Sequence, residues 1–134
     1  MEPVSVAALP REMPQSGIYL FSDAGEHLYV GRTNTIRKRL QSHCRPSSGH
    51  NSATFAFRLA RQITNKTKAT YTSKGSRSYL ERRPKFAKVF SAEKQRVRNM
   101  DVRFVSEPEP MRQALLEMYV AVSLGTPHNN FDNH

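Results

Sequence analysis

The sequence predicts a small α/β protein of the α+β type, with a three-stranded antiparallel sheet flanked by helices. Two short alternating apolar segments separated by a turn predict a β-hairpin at residues 17–31. The alternating segment "MDVRFVSE" predicts a third strand, and four stretches with helical periodicity lie before and after it. Because 134 residues support one modest core, we interpret 1–16 as an N-terminal arm and 17–134 as a single domain.

The hairpin brings two tyrosines into the same part of the sheet. In "GIYLFSDAGEHLYVG", apolar residues alternate along both strands, and a three-residue turn at 23–25 is a common connection. With that turn, Tyr19 lies directly opposite Tyr29 on one face, where cross-strand side chains are in contact. The sequence therefore predicts a pair of phenol rings on one side of the hairpin.

The first and last predicted helices carry the remaining residues of interest. Arg39 and His43 are four residues apart in "TNTIRKRLQSHC", so they lie on one side of that helix. In the last helix, apolar residues follow the 3,4,7 spacing of one helix face, and Gly125 and Pro127 end the helix. Those apolar residues are Met111, Ala114, Leu115, Met118, Ala121 and Val122.

Positive charge is concentrated in the middle of the chain. Residues 56–103 contain fourteen Lys and Arg against three acids, while the whole chain has a net charge of +10. Such a concentration favours a nucleic-acid partner over a solvated basic face or an anionic membrane. Within this pattern we interpret 64–83 as a basic loop or insertion. The predicted nucleic-acid contacts are Arg32, Arg37, Lys38, Arg58, Arg61, Lys66, Lys68, Lys74 and Arg77.

The sequence also bears on location. No apolar run is long enough to cross a bilayer, and the first residues do not have the pattern of a signal peptide. The lone Cys44 cannot form an internal disulfide and fits a reducing compartment. We therefore expect a cytoplasmic, nucleoid-associated protein without a membrane partner.

Glu117 is the only carboxylate or basic side chain between Ala114 and Pro127, within "ALLEMYVAVSL". A carboxylate in an apolar helix requires a compensating partner, since an unpaired buried charge is strongly destabilising. An arginine and a divalent metal ion both satisfy that requirement, and from this segment alone the arginine is favoured.

The segments "GIY" at 17–19 and "YVG" at 29–31 closely resemble the two signatures of the GIY-YIG nuclease superfamily. The similarity continues through Arg39 and His43, which match an arginine and a following histidine or tyrosine in the family's helix. Glu117 matches its glutamate in a late apolar helix. In the tail "TPHNN", Asn129 is the best match to a following asparagine, with Asn130 next. The second signature differs by having Val30 in place of isoleucine.

The resemblance implies phosphodiester cleavage with one Mg²⁺ or Mn²⁺ ion per site. Glu117 would hold the metal, and Arg39 would supply positive charge to the phosphate. One phenol would position or deprotonate the attacking water, with Tyr19 preferred narrowly over Tyr29. His43 would relay a proton or orient a tyrosine, and Asn129 would tie the tail to the site.

The leading hypothesis is therefore a metal-dependent DNA endonuclease. The alternative is a non-catalytic DNA- or RNA-binding module of the same fold, and an RNA partner is possible for either. The oligomeric state is left open by the sequence, although a dimer would help a nuclease to cut both strands.

Overall fold

The computed structural model describes residues 1–64 and 82–129, so most of the predicted basic segment 64–83 lies outside the described residues. The described residues form the predicted α+β architecture. No helix in these two ranges has both the length and the apolar composition needed to cross a membrane. The strands and helices are β1 (Gly17–Asp23), β2 (Glu26–Thr33), α1 (Ile36–Cys44), α2 (Thr54–Ile63), α3 (Pro84–Arg98), β3 (Asp101–Ser106) and α4 (Pro110–Leu124).

The three strands form one antiparallel sheet in the order β2-β1-β3, which confirms the predicted sheet. The chain divides into two compact units. The first, which we call the sheet unit, comprises Met1–Leu40 and Asn99–His134, and the second, the helical unit, comprises Gln41–Arg98. The interpretation of 1–16 as an arm and 17–134 as one domain stays a prediction.

The predicted register of the hairpin is wrong. The turn contains two residues, Ala24 and Gly25, and both have positive φ angles (51° and 81°), as a tight hairpin turn with matching twist requires. The pairing then shifts between Phe21 and Ser22, as in a β-bulge. As a result Tyr19 lies opposite Gly31, and Tyr29 lies opposite Phe21. Turn length and bulge together shift the tyrosines from directly opposite to diagonal positions on the same face.

The N-terminal residues contact the sheet and helix α1 within the sheet unit. Val4 forms an isolated antiparallel bridge with Val102 of β3, with reciprocal hydrogen bonds of 2.9 and 2.6 Å. A short 3₁₀ helix follows at Val6–Ala8, with Val6 buried. Further along, the Arg37 side chain donates a 3.0 Å hydrogen bond to the carbonyl of Arg11. The bridge covers part of the β3 edge, which would otherwise expose unpaired backbone groups.

Helix α4 packs on the sheet through its inner face. Ala121 belongs to a core cluster with Ile18 and Val30, and Leu116 and Val120 pack against that cluster. The helix begins after the N-cap Glu109, whose carboxylate accepts a 2.7 Å hydrogen bond from the backbone N–H of Arg112. As predicted, it ends at Gly125, which adopts the left-handed conformation (φ 63°). Most of the apolar residues that predicted α4 lie on its opposite, exposed face.

The helical unit has its own aromatic core. Phe57 of α2 packs between Phe86 and Phe90 of α3, with ring centroids 5.1 and 5.4 Å apart. Beside them, the buried Lys94 ammonium lies 4.4 Å from the Phe90 ring centroid and donates to the carbonyl of Ser48. These contacts hold α3 firmly against α2, so its solvent-facing side chains project from a fixed surface.

Candidate active site

Two phenol rings lie together on one face of the hairpin. The ring centroids of Tyr19 and Tyr29 are 6.4 Å apart, and Phe21 packs edge-on against Tyr19 at 5.8 Å. The side chain of Tyr19 covers Gly31 so closely that a Cβ atom there would overlap its Cζ and Oη atoms. An aromatic ring packed over a glycine of an edge strand helps to fix the register of a sheet. The glycine of the "YVG" segment therefore leaves the space that Tyr19 occupies.

Tyr19 is also the point where several polar groups meet. It is 2% exposed, and Arg39 of α1 hydrogen-bonds to its phenol group. Burial raises the pKa of Tyr19 well above its usual range, and the nearby Tyr29 and Glu117 raise it further. The charge and the hydrogen bond of Arg39 act in the opposite direction. In the metal-free protein Tyr19 is therefore a neutral phenol at physiological pH.

Glu117 lies on the inner part of α4, and its partner is an arginine of β2. The Oε1 atom of Glu117 is 3.5 Å from Nε of Arg32, and the Glu117 side chain is 19% exposed. Burial raises the pKa of Glu117, and the charge and hydrogen bonding of Arg32 partly offset this increase. The arginine alternative for Glu117 is thus realised through Arg32, at a distance typical of a weak contact.

Asn129 joins the chain after α4 to the edge strand β2. Its Oδ1 atom accepts a 2.8 Å hydrogen bond from the backbone N–H of Val30, and its Nδ2 donates at 2.7 Å to the carbonyl of the same residue. Thr126 donates a further 2.8 Å hydrogen bond to Oδ1. A side-chain amide here replaces a neighbouring strand, and it fixes the backbone next to Tyr29.

A comparison of the sequence with models of protein families is consistent with this arrangement of side chains. Residues 15–119 match the model of the GIY-YIG catalytic domain, which is most of the chain. The chain belongs to the GIY-YIG family. No curated protein and no solved structure matches it significantly. Because GIY-YIG proteins are endonucleases, this membership indicates a nuclease-type domain that acts on nucleic acid. Asn129 lies beyond the matched residues, so its part in the site rests on its own hydrogen bonds.

The GIY-YIG signature residues lie within the sheet unit, with one exception. Tyr19, Tyr29, Arg39 and Glu117 all belong to that unit, and Tyr19 interacts electrostatically with each of the other three. His43 is fully buried and belongs to the helical unit. Its catalytic role stays a prediction.

The predicted nucleic-acid contacts of this GIY-YIG protein are placed unevenly. Arg32 contacts Glu117, and Arg37 binds the N-terminal residues. Arg61 is buried and lies over the Phe57 ring, with 5.8 Å from Cζ to the centroid. Lys38 is exposed and Arg58 half-buried. Lys66, Lys68, Lys74 and Arg77 lie outside the described residues.

Four exposed bases on α3 are not among the contacts predicted from the sequence: Lys85, Lys88, Arg98 and Arg96, the last of which pairs with Glu93. Lys85, Lys88 and Arg98 project from this helix, although its apolar pattern drew attention only to its buried face. The one acidic residue of α3, Glu93, is buried and paired with Arg96 at 2.8 Å. The exposed surface of α3 is consequently positive along its length. The regional charge count was the signal that pointed to it.

Proposed function

We propose that this protein is a DNA endonuclease that hydrolyses phosphodiester bonds with one Mg²⁺ or Mn²⁺ ion per site. The observation that carries the proposal is the pair of phenol rings of Tyr19 and Tyr29, whose centroids are 6.4 Å apart, together with the hydrogen bond between Arg39 and Tyr19. Two phenols, a guanidinium and one carboxylate supply the groups that phosphoryl hydrolysis needs for water positioning, charge stabilisation and metal binding.

The chemistry of the donor set fits Mg²⁺ at Glu117. Mg²⁺ keeps several of its waters and uses one or two carboxylates, so it does not require a dense cluster of ligands. The described residues contain no group of three or more His, Cys, Asp or Glu side chains that could hold a metal. When bound, the ion would neutralise charge on the phosphate and on the leaving oxygen. Arg32, at 3.5 Å, holds the carboxylate in place until then.

The protein residues have distinct roles in the proposed reaction. Arg39 is fixed by its hydrogen bond to Tyr19 and presents permanent positive charge to a phosphate. We assign to the Oη atom of Tyr19 the positioning of the attacking water. We assign removal of a proton from the attacking water to Oη of the half-buried Tyr29, which would first have to release its own proton to solvent.

The uneven charge of the two units supports a nucleic acid as the substrate. The helical unit holds fourteen of the 21 Lys and Arg residues and two of the eleven acids, a net charge of +12. The sheet unit has seven bases and nine acids, a net charge of −2. We propose that the exposed Lys85, Lys88 and Arg98 of α3 contact the DNA backbone, whereas the sheet unit supplies the chemistry.

A cleavage panel tests the proposed function. Plasmid, single-stranded, flapped and four-way-junction DNA are each incubated with the protein in Mg²⁺, Mn²⁺ or EDTA. We expect cleavage only with metal, and at least a hundredfold loss in Arg39→Ala, as for removal of one charge-stabilising group. Arg11→Ala, which removes an exposed arginine of the same unit, is the matched control and should retain activity.

The alternative, a non-catalytic binding module, predicts a different outcome. The protein would bind DNA or RNA with strong salt dependence but would cleave none of the substrates with any divalent metal. Binding that is unaffected by Arg39→Ala, together with absent cleavage, would favour this alternative. Competition with RNA at fixed salt distinguishes the two polymers. Cytoplasmic location and association with the nucleoid stay predictions.

A further inference from the structure

We propose that the outward face of α4 is the contact surface of a two-fold symmetric homodimer. Five large side chains of this helix are half to three-quarters exposed, which is unusual for a helix in a globular protein. We call this surface the α4 seam, and it consists of Met111 (70% exposed), Leu115 (64%), Met118 (50%), Tyr119 (70%) and Val122 (73%).

The seam has the spacing of helix-pairing surfaces. Met111, Leu115, Met118 and Val122 follow one another at intervals of four, three and four residues. This is the repeat with which two helices interlock side chains along a shared axis. In the monomer the opposite face of α4 already packs on the sheet, through Ala121 and its neighbours. The helix is therefore apolar on both sides, and among the residues that the structure describes only one side packs against the rest of the sheet unit.

The charge pattern favours a second copy of the same chain as that partner. No charged side chain lies between Gln113 and Leu124 except Glu117, which is on the inner part of the helix and contacts Arg32. The seam thus offers no charge that would select a partner of opposite sign. The sheet unit, to which the seam belongs, has a net charge of −2, so its own charge opposes self-association only weakly.

The ends of the helix favour an antiparallel arrangement of the two copies. The exposed Arg112 lies in the first turn of α4, and the last carbonyl groups precede Gly125. In an antiparallel pair, Arg112 of each chain would lie near the negative end of the partner helix. In a parallel pair, the two arginines would approach each other. A two-fold axis that crosses the middle of the seam generates the antiparallel arrangement.

The size of the seam is sufficient for a weak to moderate dimer. Each of its five large side chains is at least half exposed, so the seam presents on the order of 500 Å² of apolar surface. This is near the upper end of the largest apolar patches found on monomeric proteins. A standard interface buries about 800 Å² per partner, including a polar rim. Residues beside the seam, such as Arg112 and Ser123, would supply that rim.

Sedimentation velocity on the full-length, metal-free and nucleic-acid-free protein tests the proposal without any reference to cleavage. We expect a concentration-dependent dimer that becomes tighter as NaCl rises from about 0.15 M to about 1 M, because salt screens the repulsion between basic copies. Leu115→Glu and Val122→Glu should each raise the dimer dissociation constant at least about a hundredfold, since a carboxylate would be buried without a partner. Ile63→Glu, at an exposed site of the helical unit, should leave it unchanged.

Each possible result has a definite meaning. Circular dichroism first verifies that both seam variants are folded, and two positions are used so that one failed variant does not decide the test. A wild-type protein that stays monomeric at both salt concentrations overturns the proposal. So does a dimer that both seam variants retain, or one that dissociates as salt rises. Loss of the dimer in the seam variants, with Ile63→Glu unaffected, supports it, and none of these results depends on nuclease activity.

Discussion

Gly31→Ala is the substitution that tests the packing of the site most sharply. The new methyl group would overlap Cζ and Oη of Tyr19, which cannot move aside easily because it is 2% exposed and packed against Phe21. Elsewhere, replacing a glycine in unstrained backbone by alanine stabilises a protein by about 0.4–1 kcal/mol through the unfolded state. Gly31→Ala should therefore lower the free energy of unfolding, whereas such a substitution elsewhere usually raises it.

The size of the effect follows from the geometry. Inserting a group into a well-packed core lowers the free energy of unfolding by about 1–3 kcal/mol, and Gly31→Ala should fall in the upper half of that range. In a chain of 134 residues each kcal/mol lowers the melting temperature by several degrees. Displacement of Tyr19 would also disturb Arg39, and a misplacement of about 1 Å at such a site reduces activity about a hundredfold.

The assay is a double-mutant cycle with Tyr19→Leu, measured by urea unfolding. Removing the ring opens the space above Gly31, so the alanine should have no unfavourable effect in the Tyr19→Leu background. The coupling between the two changes should be about 2 kcal/mol. If Gly31→Ala lowers stability equally in both backgrounds, or raises it in the wild type, the close packing of Tyr19 on Gly31 is not as described.

Four further predictions follow from the structure. In EDTA at pH 7, Glu117→Gln should leave the melting temperature unchanged or raise it. Burial raises the pKa of Glu117, so the folded protein loses stability as this carboxyl group ionises with rising pH. A clearly lower melting temperature of the variant would contradict this reasoning. Asn129→Ala should lower the free energy of unfolding, measured with urea, by about 2 kcal/mol, because the backbone N–H and carbonyl of Val30 both lose their partner. An unchanged urea midpoint would contradict the two hydrogen bonds between Asn129 and Val30. The free energy of unfolding should fall above about pH 10, because Tyr19 ionises there in the unfolded chain while burial keeps its pKa higher in the folded protein. Tyr19→Phe should reduce that fall. Iodoacetamide should modify Cys44 slowly in the native protein and rapidly in urea, since burial raises the pKa of its thiol; rapid native labelling would contradict its burial.

The strands and helices could be predicted from the sequence because their signals are local. Alternation predicted the three strands, and Gly125 predicted the end of the last helix. The register of the hairpin could not be predicted in the same way. It depends on Ala24 adopting a positive φ angle and on a bulge after Phe21, and neither leaves a clear mark in residue type.

The apolar face of the last helix illustrates a different limit. Spacing shows that Leu115 and Val122 share a face, but it does not show whether that face meets the sheet or the solvent. In the structure the smaller Ala121 faces the sheet, since a small residue allows α4 to approach it closely. The partner of Glu117 could not be predicted either, because pairing with Arg32 depends on how the helix lies against β2.

The most direct test of the central claim is a Mg²⁺ titration of plasmid cleavage by wild-type and Glu117→Gln protein, with DNA binding measured in EDTA. We predict metal-dependent cleavage by the wild type, a loss of at least a hundredfold in the variant at every Mg²⁺ concentration, and equal DNA binding by both. The exposed Glu26→Gln serves as the control and should cleave normally. Undiminished cleavage by Glu117→Gln would contradict the assignment of this carboxylate as the metal ligand.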